Sequence, residues 1–330
     1  MTSTSSTSLT ILMLTQNRPL FVKRALKFYS QELLPYKILI IDSSSKDNKT
    51  EVQNIVRNAD LNIFFCDHEY VVGANSTNKF AEALSKVDSE YVLMVADDDF
   101  VFPSAIHRCV EFLNHNPNYT AASGRSYEFE LDAATVVGNI KSIVSYPQSS
   151  AENNLAERRF KLHMKNWTTS AYSVQRTKNL RDIVNTHRKF SDDIRMMEIH
   201  WYATNVIRGK VIKLDIPYMF RQSALVKEWS VDDLFNWNET FKLSGKRELL
   251  VNLLARELAD TGSKSLSYYR AFCDTILSKW IKTRRPFLLK NCSDYSMNYY
   301  WSKFNEKMGR NTFVRRDLEA VERIRLAVSG

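Results

Sequence analysis

Four short apolar runs recur through the N-terminal third of the chain: Leu9–Leu14, Lys37–Ile41, Leu61–Cys66 and Tyr91–Ala96. Each reads as a strand buried on both faces, and the stretches between them carry apolar residues at helical spacing. Pro19 can open a helix running to about Leu34, with Phe21, Val22, Ala25, Leu26 and Tyr29 on one face. A second helix is predicted from Asp47 to Ala59. A third runs from Asn75 to Val87, where Phe80, Ala83, Leu84 and Val87 follow the i, i+3, i+4, i+7 rule. Strand and helix in strict alternation predict an α/β fold, a mainly parallel sheet with helices on both faces. Ligands of such sheets bind beyond the carboxyl ends of the strands. Thr15-Gln16-Asn17-Arg18, Asp42 and Asp97-Asp98-Asp99 all fall at those ends, so three clusters distant in sequence are predicted to meet in one crevice.

The three adjacent acids sharpen that expectation. A single Asp after a strand needs no explanation, because Asp is a turn former. Three together repel one another and resist desolvation, so something should hold them ionised. Mn²⁺ or Mg²⁺ is the simplest candidate, since such hard ions take one or two carboxylates and complete their shell with water and phosphate oxygens.

The 330 residues suffice for one large domain or two modest ones, and 44% apolar and 25% charged residues are ordinary for a globular protein. No apolar run approaches the roughly 18 residues that cross a bilayer. Residues 1–8 read as a disordered lead without a basic signal-peptide region. Cys66, Cys109, Cys273 and Cys292 are scattered, which argues against a disulfide framework or a zinc site and for reduced thiols in a cytoplasmic protein. The net charge of +9 is concentrated at the C-terminus, where residues 264–330 hold 14 Lys and Arg against 6 Asp and Glu. Arg284, Arg285, Lys303, Lys307 and Arg310 alternate there with Phe287, Tyr299, Tyr300, Trp301 and Phe304. That mixture suits peripheral contact with the inner face of an anionic membrane, and a solvated basic helical face accounts for it equally well.

The second half has another texture. Pro103 to Asn114 is predicted helical, Thr120 to Phe129 contains strand-like pieces, and Asp132 to Asn154 is polar with weak periodicity. Ser191-Asp192-Asp193 opens a helix to about Val206, with Ser191 as N-cap. Lys210 to Ile216 is a short strand, and the pattern is largely helical from Val231.

Taken in order, the first strand with Thr15-Gln16-Asn17-Arg18-Pro19, the second with Asp42-Ser43-Ser44-Ser45, the helix start at Gly73-Ala74-Asn75 and the strand ending in Asp97-Asp98-Asp99 resemble the GT-A glycosyltransferases, in particular the family-two-like enzymes that use nucleotide-diphosphate sugars. With Ser191-Asp192-Asp193 the resemblance spans about residues 9–225. It implies a GT-A (Rossmann-like) domain over 9–225, with a nucleotide-binding half at 9–103 and an acceptor half at 104–225, followed by a basic helical region at 226–330. By the same resemblance Thr15, Asn17, Arg18, Asp42, Asn75, Asp97 and Asp98 hold the nucleotide. Asp97, Asp98 and Asp99 supply the metal ligands: Asp97 and Asp99 have D-x-D spacing, whereas alignment on Pro103 selects Asp98 and Asp99. Asp193, beside Asp192, is implied as general base of an inverting transfer to a glycan or lipid-linked acceptor in bacterial surface polysaccharide synthesis. Acids at that point also cap a helix. Departures from the family pattern are Gln16 in place of an aromatic, Ser43 after Asp42, and Asp192 in place of Glu.

Two other readings compete. A sugar-nucleotide nucleotidyltransferase shares the sheet and the acids but carries a glycine-rich loop, and Thr15–Pro19 has no glycine. In a non-catalytic protein binding nucleic acid or an anionic surface, basic residues would form the leading signal, whereas here it is a cluster of acids, which repels phosphate without a metal. His200-Trp201 reads as packing, and Trp167 is a candidate for stacking on an acceptor sugar.

Overall fold

The computed structural model describes residues 8–69, 76–132, 135–167, 170–189, 193–223, 245–290 and 317–329. Strands β1 (Leu9–Thr15), β2 (Lys37–Asp42), β3 (Ile63–Asp67) and β4 (Tyr91–Ala96) alternate with helices α1 (Pro19–Gln31), α2 (Lys46–Arg57) and α3 (Ser76–Ser85). The strands lie parallel in the order β3-β2-β1-β4. The chain therefore steps outward from β1 to β3 and then returns to the far side of β1, and that reversal opens a crevice beyond the carboxyl ends. Thr15 pairs with Asp42 and Leu14 with Ala96, so the three strands end level.

After β4 come β5 (Phe100–Val101), α4 (Pro103–His115), β6 (Tyr119–Leu131), β7 (Ile140–Tyr146), α5 (Ala156–Asn166), β8 (Val174–Arg176), α6 (Thr177–Arg188), α7 (Ile194–Arg208) and β9 (Lys210–Gln222). β8 joins β4 to β6 antiparallel to both, β9 runs parallel to β6, and β5 and β7 pair antiparallel with β9 and β6. The sheet is mixed, with its parallel half carrying the crevice.

Period-two alternation divides the apolar runs between two cores. Leu9, Ile11 and Met13 pack with Val22 and Leu26 of α1 and Ile106 of α4. Leu12 and Leu39 face Phe80 of α3, Leu180 of α6 and Trp201 of α7. Burial on both faces explains why the runs read as continuous rather than alternating. Each fully buried Leu or Ile contributes about 1.5–3 kcal/mol. A third core joins α5 and α7 to α8 (Lys246–Thr261) and α9 (Leu266–Lys290), through Phe160, Met196, Leu250, Leu254 and Leu277.

Within the stretch read as a basic helical region at 226–330, the described elements are helices, and the last of them packs apart from the other two. Helix α10 (Leu318–Val328) returns to the first core, where Ala320, Val321, Ile324 and Val328 are buried. A buried ion pair fixes it: Arg125 donates from Nε to Asp317 Oδ2 at 2.9 Å and from Nη2 to Oδ1 at 2.6 Å, and the Tyr127 hydroxyl also donates to Asp317. Breaking a buried pair strands a charge, which costs about 3–5 kcal/mol. Asp317→Ala is therefore expected to lower unfolding stability by about 3 kcal/mol, read as a shift in denaturant midpoint. A shift below about 0.5 kcal/mol, the usual range for a surface change, would contradict the pairing.

Two smaller differences have local causes. β7 lies inside the stretch read as merely polar; it pairs only with β6 and its residues are half-buried, so neither face imposes a clear pattern. α1 stops at Gln31 rather than near Leu34, because Leu33 turns into the left-handed region at φ 51°.

Candidate active site

Asp97, Asp98 and Asp99 form the turn between β4 and β5, closed by Asp99 N–H donating to the Ala96 carbonyl at 3.2 Å. They do not act alike. Asp97 Oδ2 accepts from the Thr15 hydroxyl at 2.7 Å, and Arg18 spans the first two acids, with Nη1 2.8 Å from Asp97 Oδ1 and Nη2 2.7 Å from Asp98 Oδ2. Asp99 turns to β9, where its Oδ1 accepts from Gln222 N–H at 3.1 Å. Its Oδ2 is buried without a hydrogen-bond partner among the described residues. Arg24, one turn along α1, braces the turn from behind by donating to the carbonyls of Asp98, at 3.1 Å, and Val136.

The opposite wall is built from the ends of β1 and β2. Asn17 adopts φ 56°, a conformation that Asn tolerates better than most residues. Its N–H donates to Ser44 Oγ at 2.7 Å, and its side-chain oxygen accepts from Ser45 N–H at 2.8 Å. Asp42 Oδ1 accepts from the Ser44 N–H at 2.8 Å and from the Ser44 hydroxyl, while Oδ2 is buried without a partner among the described residues. Lys79 of α3 reaches between the two loops, donating to the Thr15 carbonyl at 2.5 Å and Ser43 Oγ at 2.8 Å. Thr15, Asn17, Arg18, Asp42, Asp97 and Asp98 thus share one crevice, with Thr15 and Asn17 framing it. Asn75 lies outside the described residues.

Burial dominates the electrostatics. It pushes the Asp97 carboxyl up to about 6 against the pull of Arg18, and it raises Asp99 well above the usual carboxylate range, helped by repulsion from Asp98 and opposed by Arg221. Burial lowers Lys79 to about 8, with Asp42 and Asp97 resisting, and lowers Arg24 to about 10. Sequence reasoning missed Arg24, Lys79 and Arg221. Each directly adjoins an apolar residue that the fold buries, Ala25, Phe80 and Phe220, and a cation next to such a position was the available signal.

A carboxyl raised in the folded state holds a proton that the unfolded chain releases, so stability falls as pH rises through the interval from 3.8 to about 6. The shift corresponds to a loss of up to about 3 kcal/mol. Asp97→Asn, which mimics the protonated form, is expected to match the wild type near pH 4 and to exceed its stability at pH 7 in the presence of a chelator. Equal denaturation midpoints at both pH values would contradict the raised Asp97.

Among the described residues no three of His, Cys, Asp and Glu are grouped so as to hold a metal ion together. Asp97 and Asp98 fit a divalent ion differently: their oxygens are hard donors, they already share one cation, and two carboxylates are the usual protein contribution beside water and phosphate. Ser191 and Asp192 lie outside the described residues. Asp193 opens α7, where Oδ1 accepts from Met196 N–H at 3.2 Å and Oδ2 lies 3.2 Å from Lys246 Nζ. Trp167 packs against Tyr202 and Trp280, with ring centroids 5.7 and 4.7 Å away, and His200 and Trp201 are buried. Trp201 belongs to the second core, and Trp167 is half-buried against it and the third.

Comparison with known proteins bears on the family and the fold. The family model for glycosyl transferase family 2 matches residues 10–180. Among solved structures the chain is similar to TarS of S. aureus at 16% identity and a TM-score of 0.54, covering 88% of this chain and 46% of that one, so it spans less than half of that protein. It is also similar to TarS 1–349 in complex with UDP, at 17% identity and a TM-score of 0.54, covering 86% of this chain and 73% of that one. For TarS 1–349 in complex with UDP-GlcNAc the values are 15%, 0.52, 89% and 78%. At such identities the likeness establishes a shared GT-A fold. No curated protein matches by sequence.

Proposed function

The chain belongs to glycosyl transferase family 2, and from that premise we propose that it moves a sugar, with inversion, from a nucleoside-diphosphate donor to a glycan or lipid-linked acceptor in surface polysaccharide synthesis. One observation carries the reading furthest. Asp97 and Asp98 stand at the end of β4, level with Asp42 at the end of β2, and are held together by a cation. That is where a doubly wound sheet binds nucleotides, and adjacent acids there serve a diphosphate through a bridging metal. The TarS complexes with UDP and UDP-GlcNAc support a nucleotide sugar as donor.

The roles follow from position. Asp42, with its unpartnered Oδ2, accepts from the base or ribose of the donor. Thr15 holds Asp97 in place, and Asn17 ties the β1 loop to the β2 loop. Asp97 and Asp98 would hold Mn²⁺ or Mg²⁺, which would supply charge neutralisation for the departing nucleoside diphosphate. Asp193 takes the proton from the acceptor hydroxyl as its oxygen bonds to the anomeric carbon and the bond to the diphosphate breaks. Helix capping and Lys246 fix its carboxylate.

No helix among the described residues is long and apolar enough to cross a membrane. Most of the basic and aromatic C-terminal stretch lies outside the described residues, and its composition supports salt-sensitive docking on an anionic bilayer at the cytoplasmic face. The transferase reading is tested by incubating the protein and Mn²⁺ with a panel of nucleotide sugars and measuring nucleoside diphosphate release. Slow release from one member, accelerated by a glycan acceptor, is expected. Inertness toward every member would overturn it.

A further inference from the structure

We propose that Arg18 is an exchangeable counter-ion, its guanidinium neutralising Asp97 and Asp98 until a divalent cation takes the two carboxylates and the freed fork passes to the donor diphosphate. This inference rests on the reading of the crevice as a donor site and adds a residue whose position must change for that site to fill.

The geometry leaves little alternative for a metal at this pair. Arg18 Nη1 and Nη2 lie 2.8 and 2.7 Å from Asp97 Oδ1 and Asp98 Oδ2. Asp97 Oδ2 is engaged by Thr15, so the oxygens that face each other across the pair are those the guanidinium covers. A divalent ion bound to them, at about 2.1 Å for Mg²⁺, would occupy the same space as the fork. One cation must leave for the other to enter.

Arg18 is built to leave. Its backbone is fixed, because its carbonyl accepts from the N–H groups of Phe21 and Val22 at 3.1 and 3.2 Å, but its side chain is 36% exposed. The guanidinium carbon lies over the Phe21 ring, 4.0 Å from its centroid, a face across which the planar head can slide without losing its contact. Arg24 cannot substitute, since it is buried and its Nη1 and Nη2 are committed to the Val136 and Asp98 carbonyls. A planar fork released beside a bound diphosphate matches phosphate oxygens as it matched carboxylates.

Exchange has a thermodynamic signature. Metal alone must displace a charge-assisted pair and leave Arg18 without a counter-ion, so it binds weakly. A diphosphate arriving with the metal gives Arg18 a new partner, so each ligand strengthens the other by the same factor. A static strut in the same place would show the opposite response to its removal, because losing it would loosen the carboxylates.

Mn²⁺ binding to the full chain, followed by the electron paramagnetic resonance signal of free Mn²⁺, separates the two. Arg18→Ala is expected to bind Mn²⁺ alone about tenfold more tightly than wild type, the worth of one charge-assisted hydrogen bond, with Arg18→Lys in between. UDP or GDP is expected to tighten Mn²⁺ binding to wild type about tenfold and to have a smaller effect on Arg18→Ala. Unchanged or weaker binding of Mn²⁺ alone to Arg18→Ala would overturn the exchange. If neither nucleotide binds wild type at any Mn²⁺ concentration, the donor-site reading fails along with the transfer to diphosphate, whereas the titration with metal alone still decides displacement at the carboxylates.

Discussion

Asp98→Asn is expected to reduce turnover by about 10²–10³, the loss typical of removing one preorganised electrostatic contact to a transition state. Asp97→Asn is expected to do the same, and both variants should need more Mn²⁺ for half-maximal activity. The reason is positional: these two carboxylates face the end of β1 and share Arg18. Asp99→Asn is expected to leave the Mn²⁺ requirement unchanged, because Asp99 turns away to β9, where its Oδ1 accepts from Gln222 N–H within the field of Arg221. Steady-state rates across a Mn²⁺ titration check the contrast. A shifted requirement in the Asp99 variant, with the Asp98 variant unaffected, would move the metal to the other side of the turn.

Asp193→Asn should lower turnover by about 10²–10⁴, the usual contribution of a general base, while donor affinity stays near that of the wild type. The structure supplies a competing role that the experiment must exclude. Asp193 caps α7 through Met196 N–H and pairs with Lys246, so a purely structural residue would lose about 1 kcal/mol of stability with little change in rate. Measuring denaturation midpoint and turnover on the same preparation distinguishes these outcomes, since Asn keeps much of the capping ability but cannot take a proton.

The parallel half of the sheet was legible because its runs are buried on both faces, so composition and length alone identify Leu9–Thr15 and Tyr91–Ala96 as strands. The crevice followed from topology, which brings any polar strand ends together. What sequence could not supply was the division of labour among three identical side chains. Asp97, Asp98 and Asp99 differ only in which way a turn points them, and that depends on Arg18, Gln222 and Thr15, far away in the chain. Arg18 itself was read as a nucleotide contact, although its partners in the structure are carboxylates. Lys79 was hidden because a cation that props two loops by reaching their oxygens has no periodicity of its own. The return of α10 to the first core was equally invisible, since its specificity lies in ion pairs between residues far apart in the chain, Arg125 with Asp317 and Arg323 with Glu32.

Equilibrium binding of nucleoside diphosphates, with and without Mn²⁺, to the wild type and to an Asp97→Asn, Asp98→Asn double variant tests the central claim most directly. At least one nucleoside diphosphate is expected to bind the wild type tightly only when Mn²⁺ is present, and the double variant is expected to bind it no better with the metal than without. Tight, metal-independent binding that survives in the double variant would contradict a donor site organised around these two carboxylates.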